Sequence, residues 1–480
     1  MLRLYREENN RAPAPSGPPV EQLETGSIGE RAGQWGGNAV HFISLGCPRN
    51  WVDTEVMVGL LLRAGYEATP SLQEADWIVI NTCGFLETAR QESSQTIEQC
   101  LAESKPTARL IVTGCMVQNN VTELQQRFPK VHAFLGSGDV PSLLKAVEAP
   151  QGTSFVTSAR SYLEVGDVPR RLSTPSHYAY LKIAEGCRKR CSFCIIPAIK
   201  GPLKSKSKEQ VVREFDLLLR QGVSEVILIA QDLGDYGKEQ GWRGNHGLVD
   251  LLKELLQDQR PFWLRLLYLY PDEIDDQIIE LMASDERLCS YVDMPIQHID
   301  DGILKAMRRT TSSQQICSII DQLRQKVPNV AIRTSLMVGF PGETQKQFDA
   351  LNRFVEQYQL DNVGVFAYSR EKGSHADTLP DHLPDEVKEE RRAQLMQTQQ
   401  KVVKKKLQKM VGRKLPIVVE GYHPETQLLM VGRHQGQCPD IDGQLLIQAG
   451  MEQVSQFGQR HLAKISGVSG YDLLATIVKR

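Results

Sequence analysis

One stretch constrains this chain more than any other. Glu185-Gly-Cys-Arg-Lys-Arg-Cys-Ser-Phe-Cys-Ile-Ile-Pro197 sets Cys187, Cys191 and Cys194 in a CxxxCxxC spacing directly after an apolar run. Three thiols on one tight loop read as a metal site, because a packed core needs no such spacing. Iron-sulfur cubanes are normally held by four cysteines, and the later cysteines Cys289, Cys317 and Cys438 lack ligand spacing. The loop would leave one iron open, and an open coordination position is what separates a reactive metal site from a structural one.

The apolar run before the loop opens a long alternation. Strands are expected over 178–184, 225–230, 263–269, 291–295, 330–338 and 362–367, with helices over 209–220, 248–257, 313–326 and 345–358. About six strands alternating with helices suit an open, partial (β/α)6 barrel better than the closed eight-stranded form. Function on such barrels sits at the carboxyl ends of the strands. The first strand delivers the cysteine loop there, and the others deliver Gln231-Asp232, Tyr268 to Pro271, Asp293 to His298 and Gly339 to Glu343.

Upstream, three apolar runs over 41–47, 76–83 and 109–115 end in Cys47, Cys83 and Cys115, each about one βα unit from the next. In a parallel sheet, strand ends of this kind converge on one edge, where open α/β sheets bind ligands. Free cysteine is commonly just a buried residue, and that reading suits Cys100, which falls in a helical pattern. It suits less well three cysteines at equivalent strand ends, each beside a turn signal, Gly46, Gly84 or Gly114.

At 480 residues, a prior of about 150 residues per domain suggests roughly three domains. We expect a disordered extension over 1–39, rich in proline, an α/β parallel-sheet domain over 40–150, a polar linker over 151–176 and the partial barrel over 177–382. A helical connector follows over 383–410, with eight basic against four acidic residues, which reads first as a solvated helix face and second as a docking stripe. Five short strands over 411–480 then suggest a small five-stranded β-barrel.

Ten cysteines in this length are too sparse for a secreted disulfide scaffold and read better as intracellular metal chemistry. Met1-Leu-Arg-Leu-Tyr-Arg lacks the apolar core of a signal peptide, and no apolar run approaches the about 18 residues of a membrane span. A cytoplasmic protein with no membrane partner is therefore expected. The net charge of −2 argues against strong general binding of nucleic acid. The last 70 residues carry seven basic against six acidic groups, so a basic protein substrate is at least as plausible there as RNA.

The three blocks together resemble the methylthiotransferase family of radical S-adenosylmethionine enzymes, over residues 41–480. Ser44-Leu-Gly-Cys-Pro-Arg-Asn50, Asp53, Asp293-Met-Pro-Ile-Gln-His298 with Met307-Arg-Arg309, and Pro439-Asp-Ile-Asp-Gly443 resemble its RimO-type branch, which modifies a ribosomal protein. Arg49 and Trp51 depart from the expected Lys and Leu, and Leu233-Gly234 replaces a more usual Thr pair.

The resemblance implies two 4Fe-4S clusters, one on Cys187, Cys191 and Cys194 and a second on Cys47, Cys83 and Cys115. It implies S-adenosylmethionine on the open iron of the first, with Gln231, Asp232, Gln297 and Arg333 as candidate contacts and a TRAM-like C-terminal barrel. It further implies one-electron cleavage of that cofactor and insertion of a methylthio group at the β-carbon of an aspartate of small-subunit ribosomal protein uS12. The partners would be uS12 or the small ribosomal subunit, an electron donor and a sulfur source. The sister branch acts on a tRNA adenosine and typically has Gln-Met where this chain has Cys47-Pro48. An iron-sulfur carrier would explain the six cysteines but not the two barrels, and structural zinc prefers four protein ligands.

Overall fold

The computed structural model describes residues 37–157, 163 and 169–479; nearly all of the proline-rich extension lies outside them. The chain forms two compact units, residues 1–173 with 195–204, and residues 174–194 with 205–480.

The first unit is a doubly wound sheet. Its strands are β1 (Ala39–Ser44), β2 (Glu67–Ala68), β3 (Trp77–Thr82), β4 (Arg109–Gly114), β5 (Ala133–Gly136) and β6 (Thr153–Phe155), all parallel in the order β2-β1-β3-β4-β5-β6. The helices α1 (Pro48–Arg63), α2 (Glu87–Glu103), α3 (Cys115–Arg127) and α4 (Leu143–Glu148) cover both faces. Val40, Phe42, Trp77, Val79, Ile111 and Leu135 pack with Val56, Met57, Leu61 and Leu143 on one side. Ile78, Ile80, Leu110, Val112 and Phe134 pack with Ile97, Cys100 and Leu124 on the other. Burial on both faces explains the continuous apolar strands that parallel sheets require. Cys100 is a buried core residue of α2, as its helical pattern suggested. The short helix α5 (Ile196–Lys200) also belongs to this unit, with Ile195 and Ile199 packed on Cys115 and Phe85.

The second unit holds six parallel strands in the order β14-β13-β12-β11-β10-β7. These are β7 (Tyr178–Lys182), then, after the short β8 (Ala184–Glu185) and β9 (Lys204–Ser205), β10 (Glu225–Ile229), β11 (Trp263–Leu266), β12 (Leu288–Asp293), β13 (Ala331–Val338) and β14 (Asn362–Ala367). β7 and β14 are free edges, so the barrel is open, as the six-unit alternation indicated. Its helices are α6 (Lys208–Arg220), α7 (His246–Leu255), α8 (Asp276–Ser284), α9 (Asp301–Ala306), α10 (Ser313–Lys326) and α11 (Gln345–Tyr358). Ser207, Ser312 and Thr344 begin α6, α10 and α11 with capping boxes, which satisfy backbone N–H groups that the first turn leaves unpaired.

The structure also departs from the sequence reading. α8, capped by Asp275, lies in a stretch where no helix was expected. β6 falls inside the stretch expected to be a linker. Residues 383–410 form one helix, α12 (Asp385–Gln408), and Lys388 and Arg391 on it are buried rather than solvated.

Beyond α12, β15 (Lys414–His423), β16 (Thr426–His434), β17 (Leu445–Ala449), β18 (Arg460–Ser469) and β19 (Asp472–Val478) close a barrel in the order β15-β16-β17-β19-β18. Closure removes the exposed edges that an open sheet of this size would leave. Ile417, Val419, Leu445, Ile447, Ile465, Leu473 and Ala475 fill it. The β16–β17 connection meets residues of the parallel sheet: the Tyr178 hydroxyl donates to Asp440 at 2.6 Å, the Tyr291 hydroxyl to Asp442 at 2.7 Å, and Arg265 to the Gln435 carbonyl at 2.7 Å.

Candidate active site

In the first unit, β1, β3 and β4 lie side by side, and their carboxyl ends carry Cys47, Cys83 and Cys115. Asn50 ties these ends together. Its side-chain amide donates to the carbonyls of Leu45 and Thr82, both at 3.1 Å, and its carbonyl oxygen stands 3.6 Å from Cys115 Sγ. The glycines beside the thiols are forced by space. A Cβ on Gly46, whose φ is +91°, would stand 3.1 Å from Cys83 Sγ, and one on Gly84 would stand 2.7 Å from the Met116 backbone.

The three thiols sit in unlike electrostatic surroundings. Cys47 caps α1 and Cys115 begins α3, so two of the thiols sit at helix N-termini, which favour negative charge. Burial pushes the Cys47 thiol up, but Arg49, Lys200 and the N–H groups of Arg49 and Asn50 bring it below the usual range. Burial pushes Cys115 up to about 12, with the neighbouring Cys47 and Cys83 adding to the rise. Lys200, at the end of α5, stands 3.5 Å from Asp53, and both side chains are buried. Three convergent thiols, a glycine cradle, the buried Lys200 and the half-buried Arg49 fit an iron-sulfur cluster.

In the second unit, the Cys187–Cys194 loop follows β7 and β8. Lys189, inside the loop, pairs with Glu273 at 2.9 Å, Asp272 at 3.2 Å and Asp232 at 3.5 Å. Ser192 anchors the other half, its N–H donating to Met307 O at 3.0 Å and its hydroxyl to Ala306 O at 2.8 Å. Cys191 Sγ lies 3.1 Å from the Tyr270 hydroxyl. Burial, reinforced by Asp232, Cys191 and Asp235, pushes the Cys187 thiol up to about 12.

The four candidate cofactor contacts fare differently. Gln231 Oε1 is buried without a hydrogen-bond partner, and Asp232 Oδ2 makes no hydrogen bond but faces the Lys189 ammonium at 3.5 Å, which leaves acceptor capacity for a donor such as the amino group of S-adenosylmethionine. Burial, with Asp235, Glu273 and Asp272 nearby, lifts the Asp232 carboxyl to about 7 against the pull of Lys189. Gln297 stands in the left-handed region at φ 70°, its backbone bonded to Ser335 and Met337. Arg333 is committed to protein partners, donating to Asp293 at 2.7 Å with Asp442 at 3.8 Å. Sequence reasoning did not single out Lys189 or the bridging role of Asn50. Their signals were the basic Arg188-Lys-Arg190 insert within the cysteine spacing and the position of Asn50 three residues after Cys47.

Residues 39–136 match the Uncharacterized protein family UPF0004, residues 181–355 the radical SAM superfamily and residues 411–478 the TRAM domain. With the open parallel barrel and its three-cysteine loop, these matches define a radical SAM enzyme with a TRAM barrel. The ribosomal protein uS12 methylthiotransferase RimO of Protochlamydia amoebophila (strain UWE25) is 62% identical over 442 residues, 92% of this chain and 93% of its own length. The proteins of the same description from Chlamydia abortus and Geotalea uraniireducens are 52% and 43% identical over 92% of this chain, covering 96% and 98% of their own. The chain belongs to the uS12 methylthiotransferase RimO family. It is therefore a sulfur-inserting methylthiotransferase of the radical SAM type, with a 4Fe-4S cluster and S-adenosylmethionine as cofactors. Among solved structures, the radical S-adenosylmethionine methyltransferase TsrM from Kitasatospora setae shares the fold, with a TM-score of 0.52 at 15% identity, over 68% of this chain and 72% of that one.

Proposed function

We propose that the chain inserts a methylthio group at the β-carbon of an aspartate of ribosomal protein uS12, on the free protein or on the small ribosomal subunit. The observation that carries this reading is the second cysteine triad at three adjacent strand ends, joined to 62% identity with a protein of that named activity.

In this reading Cys187, Cys191 and Cys194 hold the cluster that engages S-adenosylmethionine, and Cys47, Cys83 and Cys115 hold a second 4Fe-4S cluster that carries the sulfur. When bound, the first cluster and its cofactor supply one-electron chemistry able to take hydrogen from an unactivated carbon, which acid–base groups cannot do. Lys189 and Ser192 fix the cysteine loop against strand-end groups. Gln231 and Asp232 accept from the cofactor's amino group, with Gln297 and Arg333 as further candidate contacts. Asn50 keeps the ends of β1, β3 and β4 in register, and Arg49 and Lys200 offset negative charge there. The TRAM barrel presents the substrate loop. An electron donor and a sulfur source complete the reaction, in the reducing cytoplasm where six thiols stay available.

Mass spectrometry of uS12 and of tRNA from a strain lacking the gene tests the assignment. Loss of the methylthio group from uS12 alone supports it. Loss from a tRNA adenosine, with uS12 unchanged, overturns it in favour of the sister activity.

A further inference from the structure

The ring of Tyr270 occupies a position that neither cluster ligation nor cofactor binding explains. It lies beyond the end of β11, on Leu269-Tyr270-Pro271, and its hydroxyl approaches Cys191 Sγ at 3.1 Å. Two cations stand over its ring: the Arg309 guanidinium at 4.0 Å and the Lys189 ammonium at 4.9 Å from the centroid. Arg309 also points Nη1 at Cys191 Sγ from 3.9 Å, and its other terminal nitrogen is tied to the Pro295 carbonyl.

These contacts determine the direction of the hydrogen bond. A cysteine that ligates iron is a thiolate and has no proton to give. A phenol ordinarily gives up its proton only at about pH 10. The hydroxyl therefore keeps its proton and donates it to sulfur. Lys189 and Arg309 polarise the ring and hold it in place, since a cation over an aromatic face is attracted to its negative quadrupole.

We propose that Tyr270 is a positioning residue that tunes the reduction potential of the cluster on Cys187, Cys191 and Cys194, through an O–H to sulfur hydrogen bond to the Cys191 thiolate backed by Arg309. This rests on the ligand assignment made above. Hydrogen bonds to cluster sulfurs and nearby charge are among the factors that set the potential. Reduction adds one electron from the electron donor to the cluster and moves no proton, so the reduced cluster is one unit more negative. A donor aimed at its sulfur stabilises that form more than the oxidised form. The consequence is a cluster easier to reduce than the same cluster without Tyr270.

The test uses the full-length chain with Cys47, Cys83 and Cys115 each replaced by Ala, reconstituted with iron and sulfide so that a single cluster is present. Redox titration followed by electron paramagnetic resonance gives the midpoint potential, and iron analysis gives the occupancy. Tyr270→Phe should retain the iron and become about tenfold harder to reduce, a fall of about 59 mV for a one-electron couple. An unchanged potential at full occupancy overturns the proposal. Meta-fluorotyrosine at position 270 keeps the ring's packing and strengthens the donor, so the potential should rise. If Tyr270→Phe loses its iron, an unshifted potential in the fluorotyrosine protein overturns the proposal. If the parent with Tyr270 intact binds no cluster, it is the ligand assignment that fails, a result distinct from either potential.

Discussion

Arg433 on β16 donates to Glu225 Oε2 at 2.7 Å, and both side chains are buried, at 2% and 1% exposure. Glu225 begins β10, so this pair fastens the C-terminal barrel to the parallel sheet within one compact unit. Arg265 holds the other carboxylate oxygen at 2.6 Å, and Arg433 also reaches Glu420 at 2.7 Å. Arg433→Ala strips buried ion pairs from both Glu225 and Glu420, leaving them Arg265 and His177, and should cost about 3–5 kcal/mol. The urea midpoint of unfolding should fall accordingly, and a midpoint equal to that of the parent would show that the pair contributes nothing.

The same carboxylate gives a dependence on pH. Burial would raise Glu225, but Arg265 and Arg433 bring it down to about 2 from an ordinary 4.5. A depressed carboxylate contributes stability that is fully present above its unfolded value and is lost as pH falls through its folded value. The stability gap between the parent and Glu225→Gln should therefore be widest near neutrality and narrow between about pH 4.5 and pH 2. Denaturant unfolding at several pH values measures it; a gap that does not narrow rules out this titration.

Much of this organisation was legible in the sequence because the signals were local. The run from Asp76 to Cys83 shows its strand and its thiol in eight consecutive residues, and Ser312 and Gln315 announce the start of α10 by themselves. What was not legible depends on partners distant in the chain. Arg391 looks like one cation among eight in a charged helix, and only Glu343, 48 residues earlier, makes it a buried anchor. β5 was hidden by brevity, since the four residues Ala133–Gly136 carry no periodicity of their own. Gln231, Asp232 and Gln297 were legible from their places at strand ends, but spacing could not have shown that Arg333 is already bound by Asp293.

Arg391 and Arg392 are neighbours with opposite fates. Arg391 donates to Glu343 at 2.7 Å with both side chains buried, whereas Arg392 pairs with Glu389 on the exposed face of α12. Arg391→Ala should destabilise the chain by about 3–5 kcal/mol, as expected for stranding a buried carboxylate. Arg392→Ala should stay within about 0.5 kcal/mol of the parent, as surface substitutions do. Thermal unfolding of the two variants side by side decides, and equal losses would contradict the burial of Arg391.

The two cysteine triads predict separable defects. Cys191→Ala should lose the cluster that engages S-adenosylmethionine and abolish reductive cleavage of that cofactor. Cys83→Ala should retain cleavage but yield no methylthio product on uS12. Iron content should drop from about eight to about four per chain in each, one cubane apiece. Chromatography of the cleaved cofactor and mass spectrometry of uS12 separate the outcomes. Equal loss of cleavage in two folded variants would refute the division of labour.

Gly234 departs from the Thr pair that the family resemblance led us to expect, and packing explains the glycine. A Cβ there would collide with the Cβ and Cγ of Glu273, the residue whose carboxylate holds Lys189 at 2.9 Å and Lys238 at 2.6 Å. The glycine thus allows an acid to reach the lysine inside the cysteine loop. Gly234→Thr should overpack the site and cost about 1–3 kcal/mol. Glu273→Gly alone should also destabilise, by removing the shared partner of two part-buried ammonium groups. Together they should cost less than the sum of the single changes, because the second makes room for the first; residues in contact commonly couple by about 0.5–3 kcal/mol. A double-mutant cycle on thermal or urea stability measures that coupling. Strict additivity would show that Gly234 is not there to admit Glu273.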